Sequence, residues 1–251
     1  MEATKVALVT AGSAGLGAAI ARCLAIDAKM NVIINYSSNT QRAEALVKEL
    51  QGNCPSQKFA ALQADIGDRT QVEGLVEQAL SSMGRLDVVV SNAGWTRMTD
   101  FMDLDEGVTD EDWDRCFTIN VKSHLWLMKA AKKHLDDTEG VFITTASVAG
   151  VKPSGSSLPY AVSKAAQIHL VKSLAIIAAP KVRVNSVSPG VLLTEWGRKF
   201  PEERLRAVQK ASKLERFATV EDVAEQVKIF ALSKSVTGQN AVVDAGFSLS
   251  I

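Results

Sequence analysis

Short, mostly apolar runs recur between amphipathic stretches of ten residues or more, and no other feature constrains the chain as strongly. Val6-Ala7-Leu8-Val9, Val32-Ile33-Ile34, Leu86 to Val90, Val141-Phe142-Ile143-Thr144, Val182 to Val187 and Ala241-Val242-Val243 read as strands, with a weaker one at Lys58 to Leu62. Gly15 to Ala28, Thr40 to Leu50, Asp68 to Met83, Asp112 to His134, Leu158 to Ala179 and Val220 to Leu232 read as helices. Continuous apolar strands are buried on both faces, and helices between them imply parallel crossovers. Right-handed crossovers then predict an α/β fold, a Rossmann-like doubly wound parallel sheet flanked by helices. With no linker, repeat or low-complexity tract, residues 1–251 read as a single domain.

Composition removes several classes of function. Lys+Arg and Asp+Glu balance at 28 each, so there is no basic excess to draw nucleic acid or an acidic membrane. Cys23, Cys54 and Cys116 form no C-x-x-C pair, which argues against a disulfide framework or a zinc site and for a reducing compartment. His124, His134 and His169 fit no ligand spacing and read as helix-surface residues, so no metal is expected. Met1 to Lys5 lacks the pattern of a leader, no apolar run reads as long enough to span a bilayer, and Ser248-Leu249-Ser250-Ile251 is not a peroxisomal ending. A soluble, cytoplasmic protein is the expectation.

The first strand runs into Thr10-Ala11-Gly12-Ser13-Ala14-Gly15-Leu16-Gly17. Glycines at a strand-to-helix turn let backbone approach a pyrophosphate, and the helix start supplies N–H groups and positive dipole. The spacing is G-x-x-G-x-G, which by itself also suits a tight turn with close strand–helix packing. The second strand ends in Asn35-Tyr36-Ser37-Ser38-Asn39, with no acid to meet a ribose 2′-hydroxyl, and Arg42 follows. Asn35, Ser37, Ser38 and Arg42 form a candidate cradle for a 2′-phosphate, which favours NADP(H) over NAD(H). Arg42 reads equally as a charge on a solvated helix face.

Tyr160 and Lys164 are four apart at the start of a helix and share a face. A free Tyr, with a pKa of about 10, exchanges protons poorly at neutral pH. A neighbouring ammonium lowers it by roughly 1–3 units and turns it into a usable acid or base. A Tyr–Lys pair alone is most often an exposed helical pair. Here Ser147 ends the fifth strand, Asn92-Ala93-Gly94 follows the fourth and Pro189-Gly190 the sixth, all at carboxyl ends where an open α/β sheet places ligands.

In that order and spacing, the glycine turn, Asp65, Asn92-Ala93-Gly94, Asn120, Ser147, Tyr160 with Lys164, and Pro189-Gly190 with Thr194 resemble the short-chain dehydrogenase/reductase family over essentially the whole chain. The likeness is greatest to beta-ketoacyl-carrier-protein reductase-like carbonyl reductases. The resemblance implies that Gly12, Ser13, Gly15, Leu16 and Gly17 wrap the pyrophosphate. It implies that Asp65 and Ile66 meet the adenine, and that Asn92, Ala93 and Gly94 line the adenosine side. Ser147 would hydrogen-bond the substrate oxygen and Tyr160 would exchange its proton. Lys164 would hold the nicotinamide ribose and lower the Tyr pKa. Asn120 would bend its helix and hold a water leading from Lys164. Pro189, Gly190, Val191 and Thr194 would seat the carboxamide. The family turn begins Thr-Gly where this chain has Ala11, and NADP-preferring members often carry a basic residue where it has Ala14. If the Ala11 position needs positive φ, the residue is strained.

The expected activity is NADPH-dependent reduction of a ketone or aldehyde, or the reverse alcohol oxidation. The alternatives are an NAD-dependent alcohol dehydrogenase on the same residues and a nucleotide-binding sensor or scaffold without turnover. Trp95, Ser154, Trp196 and Phe200 are candidate substrate-lining residues, and Arg97 reads as a solvated charge. Glu202-Glu203-Arg204 with Arg206 reads as the exposed face of a mobile helix. The helix after Tyr160 is apolar nearly all round and needs a second partner beyond the sheet. The resemblance supplies one, a homodimer or, more fully, a homotetramer.

Overall fold

The structure is a computed structural model and describes residues 3–250. Met1, Glu2 and Ile251, on which the readings of the two termini partly rest, lie outside it. Seven strands are present among the described residues: β1 (Val6–Val9), β2 (Asn31–Tyr36), β3 (Phe59–Gln63), β4 (Val88–Ser91), β5 (Val141–Thr145), β6 (Arg183–Pro189) and β7 (Asn240–Val243). They form one sheet in the order β3-β2-β1-β4-β5-β6-β7, and every pairing is parallel. The strand order reverses between β1 and β4, and the carboxyl ends on either side of that point face the cleft described below.

The helices are α1 (Gly15–Ile26), α2 (Thr40–Asn53), α3 (Arg69–Met83), α4 (Asp110–Phe117), α5 (Ser123–Thr138), α6 (Leu158–Ala178), α7 (Glu202–Ala211) and α8 (Val220–Leu232). Local chemistry sets several of their starts. Asn39 accepts from the Arg42 N–H, Asp68 from Thr70 and Gln71, and Thr219 with Asp222 forms a reciprocal capping box. Ser157 caps α6 one turn before Tyr160, with Pro159 inside the first turn, where its missing N–H costs nothing. Two cores result. Ile20, Leu24, Leu50, Val223, Val227 and Phe230 cover one face of the sheet. Val72, Leu75, Leu127, Leu135, Val171 and Leu174 cover the other.

Three sequence expectations need correction. The single helix predicted over Asp112 to His134 is two, α4 and α5, joined by a five-residue π turn at Thr118–Lys122. His124 is no surface residue. It is fully buried with Nδ1 2.6 Å from the Ser91 hydroxyl, and burial, followed by the Lys164 charge, drives its pKa well below the usual histidine value. Helix α6 does have the length and hydropathy to cross a bilayer. Yet it carries Tyr160, Lys164 and Gln167 buried along it and packs against β6, as a core helix does. The helix foreseen near Glu202 is present as α7, with none of its residues buried. The three cysteines are free and buried.

Candidate active site

The cleft is built at the carboxyl ends of β1, β4, β5 and β6. At the β1 end, Ala11 has φ +47 and Gly15 φ +49. The positive φ foreseen for Ala11 is therefore real, and an alanine there carries about 1 kcal/mol or more of backbone strain. The turn is braced from below. The Ala11 N–H donates to the Asn35 Oδ1 at 3.2 Å and the Gly12 N–H to the Asn35 carbonyl at 2.8 Å. Asn35 is 1% exposed and its Nδ2 is spent on the carbonyls of Tyr36, Leu62 and Ala64, so it supports the turn and does not reach into a cradle. A methyl on Gly12 would lie 2.8 Å from the Val9 carbonyl, and one on Gly17 2.2 Å from that of Ala11. No side chain caps the start of α1, and its first turn carries no acid. Its leading N–H groups, beside Ser13 and Leu16, are thus free for an anion.

Ser37, Ser38 and Arg42 are exposed together at the β2 end. Arg42 ion-pairs with Glu195 at 3.2 Å across 153 residues of sequence. Ile66 packs in the core, and Asp65 is exposed, with its carboxylate accepting from the Gly67 N–H at 2.8 Å.

Asn92 stitches the two ends of the site together. Its N–H donates to the Thr10 hydroxyl at 2.8 Å and its Nδ2 to the carbonyls of Thr10 and Ala11 at 3.2 and 3.4 Å. Its Oδ1 accepts from the Thr145 hydroxyl at 3.0 Å. Ala93 is buried beside it. Asn120 lies in the π turn with no exposure. Its Oδ1 accepts from the Trp95 N–H at 2.8 Å, and its Nδ2 donates to the Trp95 carbonyl and the Ser163 hydroxyl, both at 2.9 Å. A methyl on Gly94 would stand 3.4 Å from the Lys164 Nζ and 3.5 Å from the Asn120 Oδ1, so those groups converge on Gly94.

Tyr160 and Lys164 meet as the sequence implied, with the ammonium 5.6 Å from the ring centre, and both are buried. Burial pushes the Tyr160 pKa up to about 12, and the nearby Ser147 hydroxyl only partly offsets it. Burial outweighs any lowering by Lys164, whose Nζ donates to the Thr145 carbonyl at 2.8 Å and to Gln167 at 2.9 Å. Burial also drives the Lys164 pKa down to about 7. The unfolded chain binds the extra proton between about 7 and 10.5, so this lysine costs stability as pH falls through that window. Ser147 lies two residues beyond β5, at the start of a short 3-10 turn, and accepts from the Ala149 N–H at 3.2 Å.

On the β6 side the Gly190 N–H donates to the Val243 carbonyl at 3.0 Å, and Pro189 is buried. Val191 is half-buried beyond them. Thr194, Glu195 and Trp196 lean across the cleft. Thr194 lies 3.3 Å from where a methyl on Gly15 would stand, Glu195 pairs with Arg42, and Trp196 packs edge-on to Tyr160 at 5.9 Å between ring centres. Trp95 joins Tyr160, Cys116 and Phe101 in a small apolar cluster. Phe200 stacks under Arg204, whose guanidinium donates to the Gly155 carbonyl next to Ser154. Ser154 spends its hydroxyl on the Lys152 carbonyl at 3.0 Å. Arg97, read as solvated, is paired with Asp112 and Thr109. Sequence reasoning missed Gln167, Thr145 and Glu195. For Gln167 a signal existed, an amide three residues after Lys164 in an otherwise apolar helix.

Residues 10–248 match the family described as enoyl-(acyl carrier protein) reductase. The chain is 32% identical over 250 residues to the 3-oxoacyl-acyl-carrier-protein reductase FabG of Staphylococcus aureus, covering 98% of this chain and 99% of that one. Among solved structures, a blue fluorescent protein from a metagenomic library, in complex with NADPH, superposes with a TM-score of 0.88 at 34% identity over 97% of each chain. A short-chain dehydrogenase of Burkholderia cenocepacia, in complex with NADP, gives 0.87 at 31% identity, again over 97% of each. Matched along nearly its whole length, the chain belongs to the short-chain dehydrogenase/reductase family of oxidoreductases.

Proposed function

We propose that the protein is an NADPH-dependent reductase of a ketone or aldehyde, with Tyr160 as the proton donor. The observation that carries this reading is the convergence of a buried phenol and a buried ammonium, Tyr160 and Lys164, at the strand ends beside an uncapped glycine turn. The donor set suits NADP(H): bare N–H groups at α1 for the pyrophosphate, and two hydroxyls and a guanidinium with no acid after β2. The two NADP-bound relatives support the same choice. Bound there, the cofactor supplies the hydride.

The chain's own residues do the rest. Ser147 holds the carbonyl oxygen just beyond the end of β5. The phenol keeps its proton through neutral pH and is therefore in the form that can donate to an oxygen gaining negative charge. Lys164 carries the compensating charge behind it, and Asn120 with Asn92 fixes the backbone on which Gly94 and Trp95 sit. Trp95, Trp196 and Phe200 offer an apolar wall. In this reading the first half of the chain binds the dinucleotide and the second half holds substrate and catalyst. The protein is soluble and cytoplasmic.

A fluorescence titration with NADPH and with NADH tests the cofactor. Micromolar binding of NADPH is expected, with NADH at least about tenfold weaker for loss of one charge-assisted contact to Arg42. Equal or tighter NADH binding would move the protein to the NAD-dependent alternative, and binding of neither to the sensor reading.

The assembly we propose is a homotetramer. Ile176 and Ile177 are 79% and 67% exposed on α6, and Ile229, Leu232 and Leu249 stand 52%, 48% and 70% exposed around α8 and the C-terminal segment. Two separate apolar faces suit two dyad interfaces. Light scattering should give a species of four subunits; a 26.9 kDa particle would remove the assembly.

A further inference from the structure

We propose that Gln167 is a positioning residue for the catalytic lysine, holding the Lys164 ammonium through its amide oxygen so that one N–H stays free for the cleft. The proposal rests on the reading of Tyr160 and Lys164 given above.

Gln167 has no exposure and lies one helical turn after Lys164, on the same face of α6. Its Oε1 accepts from Lys164 Nζ at 2.9 Å. Its Nε2 donates at 3.1 Å to the Thr145 carbonyl, which also accepts from Nζ at 2.8 Å. The three groups close a triangle, and the triangle admits one amide orientation. Flipped, Gln167 would set its NH2 against the ammonium and its oxygen against a carbonyl, two repulsive contacts in place of two bonds. An ammonium has three donors. Two are used on the sheet side, and the third is left on the side of Gly94 and Tyr160, where the nucleotide ribose would lie.

The residue type matters as much as its place. Other groups facing Nζ are the Tyr160 ring on α6, the Cys116 thiol on α4, the Asn120 amide in the π turn and the His124 imidazole on α5. None of these is an anion at neutral pH: the phenol and the thiol are pushed up by burial and the imidazole is held neutral. Among the described residues, the Gln167 oxygen is the one side-chain acceptor bonded to this ammonium. A neutral acceptor keeps the lysine able to gain and lose its proton near neutrality. A carboxylate in its place would lock the charge on, and an apolar side chain would leave the charge without compensation.

The test uses protein labelled with 13C at lysine Cε, without cofactor, titrated by NMR. The Lys164 signal is identified by its loss in Lys164→Arg. In the parent protein it is expected to titrate near 7, well apart from exposed lysines. Gln167→Leu should move that midpoint down by about one unit or more, and Gln167→Glu should move it up by roughly 1–3 units. The pH profile of carbonyl reduction should shift in the same opposite senses. Gln167→Leu should also lower kcat by about tenfold or more, with KM for the carbonyl substrate little changed. Should Gln167→Leu fail to fold, Gln167→Glu, nearly the same shape, still reads the effect. Midpoints in both variants within about 0.3 unit of the parent would overturn the role of Gln167. A parent protein without reductase activity would overturn the proposed function, while the NMR titration would still decide this inference.

Discussion

Replacing Tyr160 by Phe is expected to lower kcat for carbonyl reduction by roughly a hundred- to ten-thousand-fold while leaving the NADPH Kd within a few-fold. The substitution removes one oxygen and keeps the ring. The edge-on contact with Trp196 and the packing with Ala161 and Ala149 remain, so the cleft keeps its shape. The glycine turn, Asn92 and Arg42 are untouched, which is why the cofactor should still bind. Three polar neighbours are poorly suited to take over the proton. Ser147 has an ordinary hydroxyl, Cys116 is held protonated by burial with a pKa of about 11, and His124 points at Ser91. Lys164 spends two of its three N–H groups on Thr145 and Gln167. Steady-state rates with a panel of ketones, paired with a fluorescence titration, decide the matter. A variant that keeps more than about a tenth of the parent rate would take the proton from some other group.

Gly17→Ala should damage fold and site together. A methyl there would stand 2.2 Å from the Ala11 carbonyl oxygen and 2.8 Å from the Asn92 Nδ2. Neither can yield cheaply. Ala11 already sits at φ +47, and Asn92 is bonded to Thr10, Ala11 and Thr145. Overpacking of this kind costs about 3 kcal/mol, at the upper end of the usual range. For a chain of this size that lowers the thermal midpoint by roughly 6–12 °C. Because Thr145 anchors Lys164 through its carbonyl, strain at the turn reaches the catalytic end as well. Gly52→Ala is the control. Nothing lies within 4 Å of its added methyl, and it sits in α2, so it should gain about 0.5–1 kcal/mol. Calorimetry of the two variants gives opposite signs if the close approach at Gly17 is the cause. Equal midpoints would refute it.

The sheet was legible because it depends on a local property, unbroken apolar runs such as Val6–Val9 and Val141–Thr145 that both faces must bury. Tyr160 and Lys164 were legible because four residues on a helix always share a face. The failures have one cause: local sequence does not say what arrives from far away. His124 looks like any helical histidine until Ser91, 33 residues earlier, places a hydroxyl against it. Arg42 was ambiguous because its partner, Glu195, is 153 residues distant. Lys164 was expected to lower the phenol pKa, and helical spacing alone supports that. The outcome turned on burial of the phenol, which helical spacing does not reveal. The break within Thr118–Lys122 carries no Pro or Gly to announce it. Asn120 was singled out only through resemblance to a family.

That break has a consequence for how the chain can change in length. A π turn is an α-helix with one residue too many, and each residue turns a helix by about 100°. Exposed loop tips generally tolerate gained or lost residues. Removal of a single residue between Phe117 and Ser123 would instead fuse α4 and α5 into one regular rod. Leu127, Ala131 and Leu135 could then keep facing the sheet only if Asn120 swung away from Trp95, or Asn120 could stay only if those three left the core. Residue number in this stretch is thus as binding a requirement as residue identity, and drift by insertion or deletion has to go around it.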